Sequence, residues 1–277
     1  MLKRSLNNGC SLPVMAVGTN RMDKQLLVQI MSNSLTAGIS YFDTARDYGN
    51  EHVVGEALSY VLKSNGLKRS DVYITTKVGN GQQLSCNMRK EIDISLKSLQ
   101  VDYIDLWLLH WPLPDYFINN FKQMHSLMQE GKVRAIGLAN PRVRHLEMLK
   151  DSLGITPQVI QIEHHPFRVS RDILNYCKEN NIIIQAYSPL CFMIDKLKNN
   201  DILKRIASKY NKSLAQIVLR WHYQHGITPV FRSTNPMRYK ENADIFNFEI
   251  SNEDMEEIFS LDEDYKFIPE SLHCYGY

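Results

Sequence analysis

Short apolar runs alternate with amphipathic stretches along almost the whole chain. The runs at 14–18, 40–42, 72–77, 103–110, 133–139, 159–163, 182–187 and 228–232 read as strands. Between them, apolar residues recur with the three-to-four spacing of helices at 24–37, 52–63, 87–99, 117–130, 142–151 and 170–180, and twice more at 202–209 and 214–224. A single apolar run is ambiguous, because a buried helix segment looks the same. Eight in regular alternation with helices predict repeated β–α units, whose crossovers suit parallel strands. Leu6-Asn7-Asn8-Gly9-Cys10 precedes the first unit and reads as a hairpin turn, since Asn and Gly tolerate positive φ.

Two architectures have this pattern. A doubly wound open sheet announces itself with a glycine-rich first βα turn, but here that turn is Gly18-Thr19-Asn20. Gly79-Asn80-Gly81 also follows a strand, yet Leu84 occupies the place of the third glycine, so this segment is expected to be a plain loop. A (β/α)8 barrel with an N-terminal hairpin is therefore the predicted fold. No linker or low-complexity stretch divides the chain, which predicts one domain over 1–277.

Composition narrows the class. The chain has 277 residues, 44% of them apolar and 22% charged, as expected of a globular protein. A formal net charge of +2 offers no general reason to bind nucleic acid or a membrane surface. The five cysteines (Cys10, Cys86, Cys177, Cys191, Cys274) are scattered without a CxxC pair, which suggests reduced thiols in a soluble cytoplasmic protein. Neither a signal core nor a membrane-length apolar run is visible, so Asn211-Lys212-Ser213 is expected to be an accidental match to the glycosylation pattern.

Barrel enzymes carry their chemistry at the C-terminal ends of the strands. Asp43, Lys77, His110, Asn140, Gln161, Tyr187 and Arg232 stand there. A hydrolytic metal site would need several converging His or carboxylate ligands, and the one dense group, Glu163-His164-His165, would send neighbouring side chains opposite ways in an extended segment. A serine nucleophile would want a GxSxG elbow, which is absent. Tyr48 near Lys77 and Asp43 suits another task. A phenol keeps its proton at neutral pH yet can donate it to a developing alkoxide, and a nearby ammonium stabilises the phenolate and lowers its pKa. The aspartate would keep the lysine charged and oriented, and an imidazole could hydrogen-bond the carbonyl oxygen. Carbonyl reduction without a metal fits this set.

The same residues carry a resemblance. Phe42-Asp43-Thr44-Ala45 with Tyr48-Gly49-Asn50-Glu51, Thr75-Thr76-Lys77, Asp105-Leu106-Trp107-Leu108-Leu109-His110-Trp111-Pro112, Gly137-Leu138-Ala139-Asn140, Gln161-Ile162-Glu163, Tyr187-Ser188-Pro189-Leu190, and Arg238 with Glu241-Asn242 stand in the order found in aldo-keto reductases. The chain resembles that family over nearly its whole length. The resemblance implies a catalytic tetrad of Asp43, Tyr48, Lys77 and His110 with Tyr48 as general acid, and direct hydride transfer from NADPH to an aldehyde or ketone. Tyr187 would stack on the nicotinamide, Asn140 and Gln161 would hold its carboxamide, and Ser188, Pro189 and Leu190 would follow the pyrophosphate. Gly18, Thr19 and Asn20, the first turn, join the expected cofactor contacts. Arg232, Ser233 and Arg238 would clamp a 2′-phosphate, since guanidinium binds phosphate oxygens bidentately, with Glu241 and Asn242 beside the adenine.

Asn20, Tyr48, His110 and Trp111 are the expected substrate pocket, closed by a C-terminal tail, 270–277, that contains His273, Cys274, Tyr275 and Tyr277. Short connections after the fourth strand and after Leu190 suggest an open cleft. Three positions depart from the family pattern: Ala139 replaces a Ser, Asn20 a Trp, and Phe231 a Pro. A small carbonyl compound is the expected partner, with the chain a monomer or weak dimer. A catalytically weak, NADPH-binding regulatory or auxiliary subunit is the alternative, because some relatives act in that way.

Overall fold

The computed structural model describes residues 2–268. In chain order the elements are β1 (Lys3–Ser5), β2 (Ser11–Pro13), β3 (Ala16–Gly18), α1 (Lys24–Thr36), β4 (Tyr41–Asp43), α2 (Glu51–Ser64), β5 (Tyr73–Val78), α3 (Asn80–Gln83), α4 (Met88–Leu99), β6 (Ile104–Leu109) and α5 (Phe117–Gln129). They continue with β7 (Val133–Ala139), α6 (Val143–Leu153), β8 (Val159–Glu163), α7 (Arg171–Glu179), β9 (Ile183–Tyr187), α8 (Asp195–Lys198), α9 (Asp201–Tyr210), α10 (Leu214–Gln224), β10 (Thr228–Phe231), α11 (Arg238–Ala243) and α12 (Asn252–Phe259). Strands β3 to β10 close into a parallel barrel in the order β10-β3-β4-β5-β6-β7-β8-β9. The (β/α)8 expectation holds.

The barrel strands are buried on both faces, so they read as nearly continuous apolar runs. The two-residue period of a strand still sorts them. Val17, Phe42, Ile74, Trp107, Ile136, Leu138 and Ile160 belong to the core shared with the helices. Their neighbours Ala16, Tyr41, Tyr73, Leu106, Leu108, Ala135, Ala139 and Val159 form a separate cluster inside the barrel. Counting on by twos from those interior positions, and from Ile183 and Val230 of the same cluster, reaches Gly18, Asp43, Lys77, His110, Gln161, Tyr187 and Arg232. The polar set is thus the continuation of the barrel's interior rows at one end.

The other end is plugged. β1 and β2 pair antiparallel around a turn in which Gly9 adopts φ 81° and the Leu6 amide donates to Cys10 O at 2.8 Å. Leu6 and Leu12 pack into the interior cluster. Asn7 Nδ2 reaches Pro157 O and Asn8 Nδ2 reaches Arg134 O, both at 3.0 Å, pinning the hairpin beneath the N-terminal ends of β7 and β8.

Differences from the sequence reading are local. Gly79-Asn80-Gly81 is not a plain loop, because Asn80–Gln83 forms one helical turn, α3. Helices α8, α11 and α12 lie outside the repeating pattern and were not foreseen. Asn211 is a left-handed C-cap of α9 with φ 52°, and Ser213 caps α10 by accepting from Gln216 N, so that triplet serves a helix–helix junction. Cys10, Cys86, Cys177 and Cys191 form no disulfide, and no helix among the described residues is long and apolar enough to cross a membrane.

Candidate active site

At the open end, β4 ends at Asp43 and β5 carries Lys77 one residue before its end; register pairs Asp43 with Thr75, two residues before Lys77. The chain then turns through Thr44 and Ala45 into a 3₁₀ turn, Arg46–Tyr48, which Gly49 closes in a left-handed conformation (φ 70°). That turn delivers Tyr48 over Lys77. Lys77 Nζ donates to Asp43 Oδ1 at 2.6 Å, to Thr44 O at 2.9 Å and to Tyr48 Oη at 3.3 Å. All three ammonium hydrogens therefore have acceptors. His110 follows β6, its amide donating to Val78 O at 2.9 Å, and its ring meets that of Tyr48 edge-on with centroids 5.9 Å apart. The four expected tetrad residues are brought together.

The electrostatics follow from burial. Lys77 is fully buried and Asp43 nearly so. Burial pulls the Lys77 pKa down, but Asp43 and Tyr48 outweigh it and hold the ammonium above its ordinary value. For Tyr48, burial pushes the pKa up and exceeds the downward pull of Lys77, so the net shift is upward. The sequence reading had only the lysine's lowering effect in view. His110 moves down: burial is the main cause, opposed by its bond to Asp47 and reinforced by Lys77. Neutral imidazole and intact phenol are the forms present at pH 7.

A polar chain passes through the barrel interior and fixes Asp43. Its Oδ2 accepts from Gln161 Nε2 at 2.8 Å; Gln161 also donates to Gln185 Oε1, and Gln185 donates to Tyr41 Oη. Thr19 bonds to the Asp43 carbonyl through both its amide and its hydroxyl, each at 3.0 Å. Asn50, whose part was not read from the sequence, donates to Thr19 O at 2.9 Å. Glu51 is buried and accepts from Thr76 and Ser95, tying α2 to β5 and α4.

The expected cofactor residues fall into two groups. Asn140, in a left-handed conformation that Asn tolerates (φ 57°), donates Nδ2 to His110 O at 3.0 Å and accepts from Tyr187 Oη at 2.8 Å. Each amide keeps capacity for a carboxamide: Asn140 has a second N–H, and no donor among the described residues reaches Gln161 Oε1. Ser188 continues with positive φ (51°), followed by buried Pro189 and half-buried Leu190. Gly18, at the end of β3, and half-buried Asn20 lie on the neighbouring edge.

The second group is the β10–α11 connection. Tyr239 Oη donates to Ser233 O at 2.6 Å and accepts from Ser233 N at 3.1 Å, holding the turn against α11. Arg232, Arg238 and Glu241 are exposed and Asn242 is buried. Among the described residues no carboxylate pairs with Arg232 or Arg238, so the donor set there fits a phosphate.

A cavity of about 330 Å³ opens at the first group, lined by Trp111, Asn140, Ile162 and Tyr187 together with Asp262, Asp264, Lys266 and Ile268. Of the expected substrate-pocket residues, Trp111 lines this cavity, whereas Asn20, Tyr48 and His110, like Lys77, are not in the lining. The expected pocket contacts of 270–277 fall outside the described residues. Residues 262–268 do reach the cavity, and Glu163 anchors them. Its carboxylate accepts from the amides of Phe267 (2.7 Å) and Ile268 (3.3 Å) and contacts His165 Nε2 at 3.1 Å. The sequence had offered Glu163 only as a weak metal ligand. His164 turns away and stacks on Trp221, 5.1 Å between centroids. Among the described residues no three His, Cys, Asp or Glu side chains converge on one point.

The model of the aldo/keto reductase family matches residues 14–263. The chain is 38% identical over 265 residues to glyoxal reductase of Bacillus subtilis, covering 95% of this chain and 94% of that one. Methylglyoxal reductase DkgA of Escherichia coli O157:H7 is 34% identical over 267 residues, with 96% and 95% covered. Among solved structures, a Bombyx mori aldo-keto reductase in complex with NADP superposes with a TM-score of 0.91 at 28% identity, covering 98% of this chain and 95% of its own.

Proposed function

The chain belongs to the aldo/keto reductase family, and from that premise we propose that it reduces a small aldehyde or α-dicarbonyl compound to an alcohol, with NADPH as reductant and Tyr48 as general acid. NADPH supplies a hydride to the carbonyl carbon. Everything else is the work of this chain's side chains. Asn140 and Gln161 would hold the carboxamide through the spare N–H and the spare carbonyl oxygen described above, with Tyr187 against the ring. Arg232, Ser233 and Arg238 would hold the 2′-phosphate. The Tyr48 hydroxyl gives its proton to the oxygen that gains charge, and Lys77, kept cationic by Asp43, stabilises the phenolate left behind.

One observation carries this reading: a buried ammonium bonded at once to a carboxylate (2.6 Å) and a phenol oxygen (3.3 Å) at a barrel mouth. The names of the relatives, which include glyoxal and methylglyoxal reductases, support a small reactive carbonyl as substrate. Stopped-flow oxidation of NADPH, followed at 340 nm with methylglyoxal or 4-nitrobenzaldehyde, tests it. Turnover that is indifferent to EDTA is expected. Cofactor binding without any oxidation would favour a regulatory subunit instead.

Cofactor choice is tested separately. Charge-assisted hydrogen bonds to an exposed phosphate lose part of their strength to solvent. Arg238→Ala is therefore expected to weaken NADPH binding by about tenfold and to leave NADH binding unchanged, as read by fluorescence titration. An equal effect on both cofactors would remove the phosphate clamp.

A further inference from the structure

Asp47 received no role from the sequence, yet its carboxylate is hydrogen-bonded to the His110 ring. It lies on the 3₁₀ turn directly before Tyr48, and its Oδ2 is 3.1 Å from His110 Nδ1. The His110 side chain is 17% exposed and that of Asp47 41%, so the bond is closed to solvent on the imidazole side. An ionised carboxylate can only accept, so the shared hydrogen belongs to Nδ1. A neutral imidazole carries one N–H. With that hydrogen on Nδ1, Nε2 is left as a bare acceptor.

A second observation, 32 residues away in the chain, belongs to the same contact. A Cβ placed on Gly79 would lie 1.7 Å from Asp47 Oδ1 and 2.3 Å from its Cγ. The backbone at Gly79 has φ −72°, which any residue adopts, so conformation does not call for glycine there. The carboxylate does, because it occupies the volume a side chain would fill. The His110 backbone is held as well, through Val78 O on one side and Asn140 Nδ2 on the other. The ring is therefore seated by its surroundings, and the carboxylate lies in the space that Gly79 leaves open.

We infer that Asp47 is a positioning residue that holds His110 as the Nδ1–H tautomer, so that Nε2 accepts a hydrogen bond in the neutral imidazole and donates one to a carbonyl oxygen only as imidazolium. The inference rests on the reading of His110 as a group beside the substrate. Its consequence is a proton-dependent donor within the site. The charged and titratable groups facing His110 are Asp47 and Tyr48 from the 3₁₀ turn, Asp43 from β4 and Lys77 from β5. Burial lowers the imidazole's pKa from 6.5, and Asp47 opposes that. The imidazolium fraction falls as pH rises through the lowered value, so the extra donor is present in mild acid and absent above neutrality. Tyr48 and Lys77 are both held above their ordinary values, near 10 and 10.5, and keep their protons throughout that range.

Asp47→Asn should undo this. An amide can accept from Nδ1–H or donate to a bare Nδ1, so it permits the tautomer in which neutral Nε2 carries the hydrogen. Gly79→Ala should reach the same end without changing any charge, because the added methyl displaces the carboxylate from His110. The tautomer is read on the full chain labelled with ¹⁵N-histidine, by long-range ¹H–¹⁵N correlation at pH 7, with His110→Asn to assign the signal. The wild type is expected to show a protonated Nδ1 and a pyridine-type Nε2, and both variants a gain of protonated Nε2.

In parallel, kcat/KM for methylglyoxal with NADPH is measured from pH 5 to 8. The wild type is expected to lose about three- to tenfold more than Asp47→Asn over that range, the equivalent of one hydrogen bond. A protonated Nε2 in the wild type, or one tautomer shared by all three proteins, overturns the inference. So does a pH profile left unaltered by Asp47→Asn. Should the protein fail to oxidise NADPH at all, the functional reading falls, and the tautomer measurement still decides the role of Asp47.

Discussion

Tyr48→Phe is expected to lower kcat for NADPH-dependent carbonyl reduction by about 10²–10⁴-fold, the usual worth of a positioned general acid. The substitution removes one oxygen and leaves a ring of the same shape. The edge-on contact with His110 survives, and Lys77 keeps Asp43 Oδ1 at 2.6 Å and Thr44 O at 2.9 Å. One hydrogen bond is lost, so stability should change by no more than about 0.5–1.5 kcal/mol. NADPH affinity should stay within about twofold, because the lost oxygen gives up one bond at most and the groups expected to hold the cofactor are elsewhere, on Asn140, Gln161, Arg232 and Arg238. Burial keeps the Tyr48 phenol protonated below its ordinary range, so the deficit should be the same at pH 6 and pH 8. A loss in kcat with KM nearly unchanged is the signature of a group that acts in the transition state. Activity within a few-fold of the wild type would mean that the proton comes from another source.

The parts of this site that were legible in the sequence are those that the strand period and the barrel's polarity determine. Asp43, Lys77, Gln161 and Tyr187 stand on interior rows, where a side chain must either fill the barrel or face its mouth, so residue type alone marks them. His110, one residue past β6, was read as the end of the fourth strand. Tyr48 lies beyond a strand end, and its place was reached through chemistry, from the need for an acid beside a cation, and through the motifs of the resemblance.

The residues that were missed share a different origin. Asp47 matters because a turn swings its carboxylate onto a histidine 63 residues later, and only the three-dimensional path of the chain joins them. Glu163 looked like part of a His-rich cluster, but its partners are backbone amides at 267 and 268, which have no sequence signature. The direction of the Tyr48 shift was likewise out of reach, since burial, its largest cause, depends on what surrounds the ring. Helix α3 is too short for any apolar period to reveal.

The second large effect concerns stability. Lys77 and Asp43 form an ion pair in which both side chains are at most 2% exposed. Removing one partner of such a pair strands the other charge in the interior, a loss of about 3–5 kcal/mol. Lys77→Met and Asp43→Asn, each alone, should therefore lower the unfolding midpoint by about 5–9 °C for a chain of this size. The pKa of Lys77 is raised in the folded state, so the pair's contribution is fully present below 10.5 and is lost only as pH rises through the higher folded value. The deficits should accordingly be constant between pH 6 and 9. The double variant separates a stranded charge from lost packing. With both charges gone, methionine fills the lysine's volume and asparagine can still accept from Gln161 through its carbonyl oxygen. Its midpoint should then lie above that expected from the sum of the single losses, a coupling that a double-mutant cycle measures directly. Reductase activity should be absent in Lys77→Met and in the double variant, because the phenolate at Tyr48 no longer has a cation beside it. Strict additivity of the midpoints would indicate that the two groups do not stabilise one another in the folded chain, and the argument that Asp43 keeps Lys77 charged for catalysis would go with it.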